Sequence, residues 1–257
     1  MAALDERDHA LAGVMRTLAA RGAEHFLVLH ARSPGRTPPN AEARLTALGA
    51  AVGAAVRLVD GPPASAVAQV LDAERSDLLL IGRRAALPDR PAWGPNGRAI
   101  LRAAGCPVLV VPGDTDSVSL ASALVGMDLS EEAIEALARC TRMCSSVEAL
   151  AVLAPEGPDA RPDAVLGGLR DQLAAALVAR GLPPVPLRAS VQGAPADVLL
   201  SASEQHDLVA VGSRGLSPLA SALLGSTAER LAGRSRRPVL VVRRRGEAKG
   251  ILGALFG

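Results

Sequence analysis

At 257 residues the chain is long enough for two domains of ordinary size, each with its own core. Its 28 basic and 26 acidic residues leave a net charge of +2, which gives no broad electrostatic case for a nucleic acid or an anionic membrane as partner. Lys249 is the sole lysine, so there is no G-x4-G-K-[ST] phosphate loop and no lysine suited to Schiff-base chemistry.

In chain order, the N-terminal MAALDERDHA is too charged for a signal peptide, and no apolar run approaches the ~20 residues of a membrane span. A soluble cytoplasmic protein is expected. FLVLHA (26–31), LIGRRA (80–85) and GCPVLVVP (105–112) read as strands of a first unit. Only MAAL precedes Asp5, so the opening strand of this unit reads as very short. PGDTDSVS (112–119), rich in turn formers, reads as a linker.

Beyond it the same pattern returns after about 125 residues, a period suited to a duplicated domain. ALAVLA (149–154) matches FLVLHA, VGSRG (211–215) matches LIGRRA, and RRPVLVVR (236–243) matches GCPVLVVP, while Asp128 keeps the spacing of Asp5. The predicted domains are 1–113 and 119–245, with a small apolar tail over 246–257. In the second copy strands are predicted near 122–127, 148–153, 185–191, 207–211 and 238–242, with helices near 130–143, 163–180, 194–204 and 226–234. Such alternation gives an α/β fold, a parallel sheet covered by helices.

Cysteine usage agrees with a reducing compartment, because Cys106, Cys140 and Cys144 are too few and too irregular for a disulfide framework. Cys140 and Cys144 share a helix face without a nearby histidine, and are read as small buried apolar residues rather than metal ligands. No metal site is predicted. His9, His25, His30 and His206 are scattered without catalytic spacing, so their default is structural. Arg243-Arg244-Arg245 reads as a solvated basic face, and two phenylalanines with no tyrosine leave few rings to stack on bases.

Most of the functional signal lies in 211–242. Gly212 and Gly215 bracket a tight turn after the DLVAV strand, where absent β-carbons allow a ligand to approach the backbone. Gly225-Ser226-Thr227 then opens a helix, and Ser226 with Glu229 forms an S-x-x-E capping-box pattern. Free amides at such a start, with the hydroxyls of Ser226 and Thr227, suit a phosphate. Asp128 stands three before Glu131, a pattern that also reads as a helix N-cap.

The spacing G-x2-G-x9-G-[ST] at Gly212, Gly215, Gly225 and Ser226, between DLVAV and PVLVV, resembles the ATP-binding signature of the universal stress protein family. The resemblance implies two tandem Rossmann-like, doubly wound domains, each a five-stranded parallel sheet of order 3-2-1-4-5, packed as an intrachain pseudo-dimer. It implies ATP, normally accompanied by Mg²⁺, held by the second domain. Asp128 and Met127 would lie by the nucleoside, and Leu153 and Ala154 would flank the adenine. Beside the motif glycines, Ser213 and Thr227 are further candidate contacts, and Arg214 either reaches the nucleotide or points to water. It further implies a stress-response regulator acting on client proteins, and a homodimer.

The first copy departs from the signature. Gly82 remains, but Ala85 replaces the second glycine, the spacer to Gly94 is one shorter, Pro95 replaces the serine, and Asp89 adds an acid. One nucleotide per chain is therefore expected. Two alternatives stay open at this stage: a nucleotide-free interaction scaffold of the same fold, and a slow ATPase.

Overall fold

Apolar runs flanked by breakers become strands, and the segments between them become helices, in two compact units. The computed structural model describes residues 6–32, 39–84, 94–113, 119–153, 162–213 and 225–243. The first unit comprises α1 (Glu6–Ala19), β1 (Leu27–Arg32), α2 (Ala41–Val52), β2 (Ala55–Asp60), α3 (Pro63–Ala73), β3 (Leu79–Arg83), α4 (Pro95–Ala103) and β4 (Val108–Pro112). The second comprises β5 (Ser122–Gly126), α5 (Glu131–Met143), β6 (Ser146–Val152), α6 (Pro162–Ala179), β7 (Leu187–Ser190), α7 (Pro195–Ser203), β8 (Leu208–Gly212), α8 (Ser226–Arg234) and β9 (Val239–Val242).

All strands of the second unit pair in parallel, in the order β7-β6-β5-β8-β9. Counted within the unit this is 3-2-1-4-5, with the direction of winding changing between β5 and β8. The middle strands are the most apolar because both of their faces are covered. Ala123, Leu124, Val125, Leu208, Val209 and Ala210 are all fully buried. Helix α5 packs across β5, β8 and β9, while α7 and α8 pack on each other. Crowding is tight at Gly126, where a β-carbon would lie 2.9 Å from a Leu199 methyl and 3.0 Å from a Val211 methyl.

The first unit keeps the same elements with one difference. Among the described residues its strands form two parallel pairs, β1 with β2 and β3 with β4. The expected opening strand falls on residues 1–5, outside the described residues. Leu79, Leu80 and Ile81 are only half-buried, where their counterparts in β8 are buried. The core of this unit gathers Ala12, Met15, Val28, Leu45 and Leu48.

The cysteines are buried and reduced, as expected of small apolar residues. Burial holds the Cys140 thiol well above its ordinary pKa, with Cys144 adding a smaller push in the same direction. Among the described residues no cluster of His, Cys, Asp and Glu could hold a metal ion, and no helix is long and apolar enough to cross a membrane.

Candidate functional site

The reversal of winding between β5 and β8 opens a crevice at the carboxyl ends of these strands, the usual ligand position in open α/β sheets. Val125 lies opposite Ala210, so Met127-Asp128 and Gly212-Ser213 leave the sheet side by side. Gly212 is still a strand residue, paired with Val242, and the turn begins after it. Ser213 continues the pairing by donating its N–H to the Val242 carbonyl at 2.7 Å.

The loop that follows returns to its starting point. Gly225 donates its N–H to the Ser213 carbonyl at 2.7 Å, which brings the start of α8 to the end of β8. Arg214 and Gly215 lie outside the described residues, but both flanks of their loop are fixed by this bond.

The helix start differs from the capping box predicted at Ser226. Gly225 is the N-cap, with φ −59° and ψ 142°, and no side chain caps the helix. Ser226 is already the first helical residue, so its hydroxyl cannot fold back onto its own turn. Among the described residues no side chain caps the first-turn amides of Ser226, Thr227 and Ala228. The helix dipole adds positive potential at the same point. Ser226 is exposed and Thr227 half-buried at the helix start. Ser213 supplies a further group, since its residue is 0 % exposed and its Oγ has no hydrogen-bond partner among the described residues. A buried hydroxyl without a partner is rare enough to point to a missing one.

Asp128 also takes a different role from the N-cap its spacing allowed. The N-cap of α5 is Ser130, whose Oγ accepts from the Ala133 amide at 3.2 Å. Asp128 instead accepts twice on Oδ1, from the Ser130 amide at 3.0 Å and the Ser130 hydroxyl at 2.5 Å. Its side chain is exposed at the strand end. Sequence reasoning missed Ser130, although a serine followed by Glu131-Glu132 in a helical first turn is itself an N-cap signal.

Met127 is buried, and its N–H extends the β5–β6 pairing by donating to the Leu150 carbonyl at 2.9 Å. Leu153, half-buried, donates its N–H to the Ser190 carbonyl at 2.8 Å, and Ala154 lies outside the described residues. Thus Met127, Asp128, Leu153, Gly212, Ser213, Gly225, Ser226 and Thr227 all stand at one end of the sheet. Uncapped amides, an unused hydroxyl and a tethered carboxylate beside apolar strand ends can bind a ligand with an anionic end and a hydroxylated middle.

The equivalent end of the first unit is built otherwise. Gly94 is the N-cap of α4 and Pro95 its first residue, so one amide donor is missing there. Arg83, only 3 % exposed, occupies the place of Ser213. His30 occupies the place of Leu153, with its Nε2 buried and without a hydrogen bond. Burial, and secondarily the Arg44 cation, lowers the His30 pKa below its ordinary value.

The Universal stress protein family model matches residues 2–112 and again 122–243. The chain is similar to a universal stress protein of Archaeoglobus fulgidus, at 20% identity and a TM-score of 0.69, covering 95% of this chain and 96% of that one. A putative universal stress protein of Pseudomonas aeruginosa aligns at 16% identity and a TM-score of 0.57, over 92% of this chain and 99% of that one. A universal stress protein solved in complex with cAMP aligns at 30% identity over 48% of this chain and 96% of that one, with a TM-score of 0.35. No curated protein matches.

Proposed function

The chain belongs to the universal stress protein family, and from that premise we propose that its second unit binds one adenine nucleotide, ATP, as a nucleotide-dependent stress-response regulator acting through protein contacts. The observation that carries this reading is the Gly225–Ser213 hydrogen bond, which joins the uncapped start of α8 to a strand end with an unused buried hydroxyl. That pairing fits a phosphate chain.

In this reading the amides and hydroxyls of Ser226 and Thr227, with the Ser213 hydroxyl, hold phosphate oxygens. Gly212, Gly215 and Gly225 admit the ligand to the backbone, and Arg214 adds a cation. Asp128 accepts from ribose hydroxyls, while Met127, Leu153 and Ala154 flank the base. Mg²⁺, where it accompanies ATP, is held by phosphate oxygens and water, which asks nothing of the protein's carboxylates. The nucleotide supplies its negative charge and binding energy, and regulation follows if two conformations of the protein bind it with different affinity. The protein acts in the cytoplasm, as a homodimer, on client proteins.

Mass spectrometry of nucleotide released from freshly purified protein, with ATP calorimetry on wild type and Gly215→Ala, tests the reading. One site per chain that Gly215→Ala abolishes is the expected result. Protein that carries no nucleotide and gives no heat with any adenine nucleotide would leave the fold as a scaffold and overturn it.

A further inference from the structure

The turn between β5 and α5 contains more order than a helix cap requires. Capping α5 fixes only the dihedrals of Ser130 itself, φ −61° and ψ 153°, and uses only the acceptor side of its hydroxyl. Yet Leu129, a residue with a γ-branched side chain, is held at φ +60°, the left-handed region that such residues rarely enter. That conformation turns the Ser130 amide back toward Asp128. The donor side of the same hydroxyl then closes a second, shorter bond to the same oxygen, Oδ1. Strained backbone of this kind persists where the surroundings over-determine it, and it concentrates at ligand clamps.

We infer that Ser130 is a positioning residue of the nucleotide crevice, holding Asp128 by Oδ1 so that Oδ2 is presented to the ribose hydroxyls. The inference rests on the nucleotide reading above and deepens it. Among the described residues Oδ2 has no hydrogen bond, and the carboxylate is exposed at the strand end. An untethered aspartate at an exposed strand end samples several rotamers, and ordering it on binding reduces affinity. Ser130 is buried, with its hydroxyl spent on Asp128 and on the Ala133 amide, so its effect on binding passes through Asp128.

A merely structural serine predicts a different set of results, and the ribose separates the two. Calorimetry with ATP and with 2′,3′-dideoxy-ATP, on wild type, Ser130→Gly and Ser130→Thr, reads the preference for the hydroxylated sugar. Glycine is a tolerated N-cap, so Ser130→Gly should unfold within about 2 °C of wild type. It keeps the amide bond to Oδ1 and loses the hydroxyl bond, so it should lose roughly three- to tenfold in ATP affinity, the cost of ordering one side chain on binding, while its affinity for the dideoxy analogue stays within about twofold. Ser130→Thr keeps both sides of the hydroxyl and should restore the preference. An unchanged ATP preference in Ser130→Gly, or a parallel loss for both nucleotides, overturns the positioning role. Wild type that binds neither nucleotide overturns the underlying nucleotide reading, and that result is visible before any variant is made.

Discussion

Replacing Ser226 by proline separates the fold of α8 from the chemistry of its first turn. Ser226 is the first helical residue, the position where a proline's missing N–H was unpaired in any case and its fixed φ suits the helix. The preceding residue must be extended, and Gly225, at φ −59° and ψ 142°, already is. The first unit carries the same arrangement natively, with Gly94 at φ −74° and ψ 165° before Pro95. Ser226→Pro should therefore change stability by no more than about 0.5 kcal/mol, the range of a surface substitution. Binding should respond differently, since the substitution removes an amide and a hydroxyl donor together. One lost hydrogen bond to a charged group is worth about 1.5–3 kcal/mol, or roughly 10- to 150-fold in affinity. Urea unfolding and ATP calorimetry on the same preparation read both quantities. Wild-type affinity in a folded Ser226→Pro protein would mean that the phosphates do not sit on α8, and gross unfolding would refute the equivalence of Ser226 with Pro95.

Three further outcomes follow from the packing. Gly126→Ala should destabilise by about 1–3 kcal/mol in urea, because its new methyl meets Leu199 at 2.9 Å and Val211 at 3.0 Å in a full core, and removing bulk with Leu199→Ala should give a less than additive loss. His30 has a lowered pKa in the native state, so just below its ordinary value of 6.5 the unfolded chain holds more protons. Stability should then rise with pH up to that value and fall on acidification, and His30→Leu, which copies Leu153, should flatten the slope measured by urea unfolding between about pH 5 and 7. The Cys140 thiol is 0 % exposed with a raised pKa, so maleimide should label it only as fast as the protein unfolds, and rapid labelling of native protein at neutral pH would contradict its burial.

All nine elements of the second unit were legible within two residues of their ends. A sheet buried on both faces reads as apolar runs, and Gly, Pro and polar clusters mark where each run stops. The site was legible in outline, since Gly212, Gly225, Ser226 and Asp128 do share one end of the sheet. Its hydrogen bonds were not. In Gly225-Ser226-Thr227-Ala228-Glu229, either glycine or serine can cap, and the S-x-x-E spacing favoured the serine. The choice fell to glycine because Gly225 is drawn back to the Ser213 carbonyl, a contact between residues separated by a long loop. Likewise Asp-Leu-Ser-Glu permits a cap at Asp128 or at Ser130. The deciding feature is a leucine at φ +60°, and leucine carries no sequence signal for that conformation. Local patterns thus brought these residues to one end of the sheet, while tertiary contacts decided which hydrogen bonds they make.

The same logic bears on why one chain would hold one nucleotide. Three positions at this end of the sheet differ between the units, Leu153 against His30, Ser213 against Arg83, and Ser226 against Pro95. Each exchange leaves the backbone intact. Proline is at home at a helix start, arginine can bury its aliphatic stem, and a histidine whose pKa is lowered can stay neutral among apolar neighbours. The chemistry is what changes. An amide and a hydroxyl donor vanish at α4, and a bulky cation fills the place of a small hydroxyl beside Gly82. Restoring the serine alone, with Pro95→Ser, should therefore create no second ATP site in a titration, because Arg83, at 3 % exposure, still stands where the second unit has Ser213. A second equivalent of ATP bound by Pro95→Ser would show instead that the missing amide was the sole barrier, and that the buried arginine accommodates the phosphates rather than excluding them.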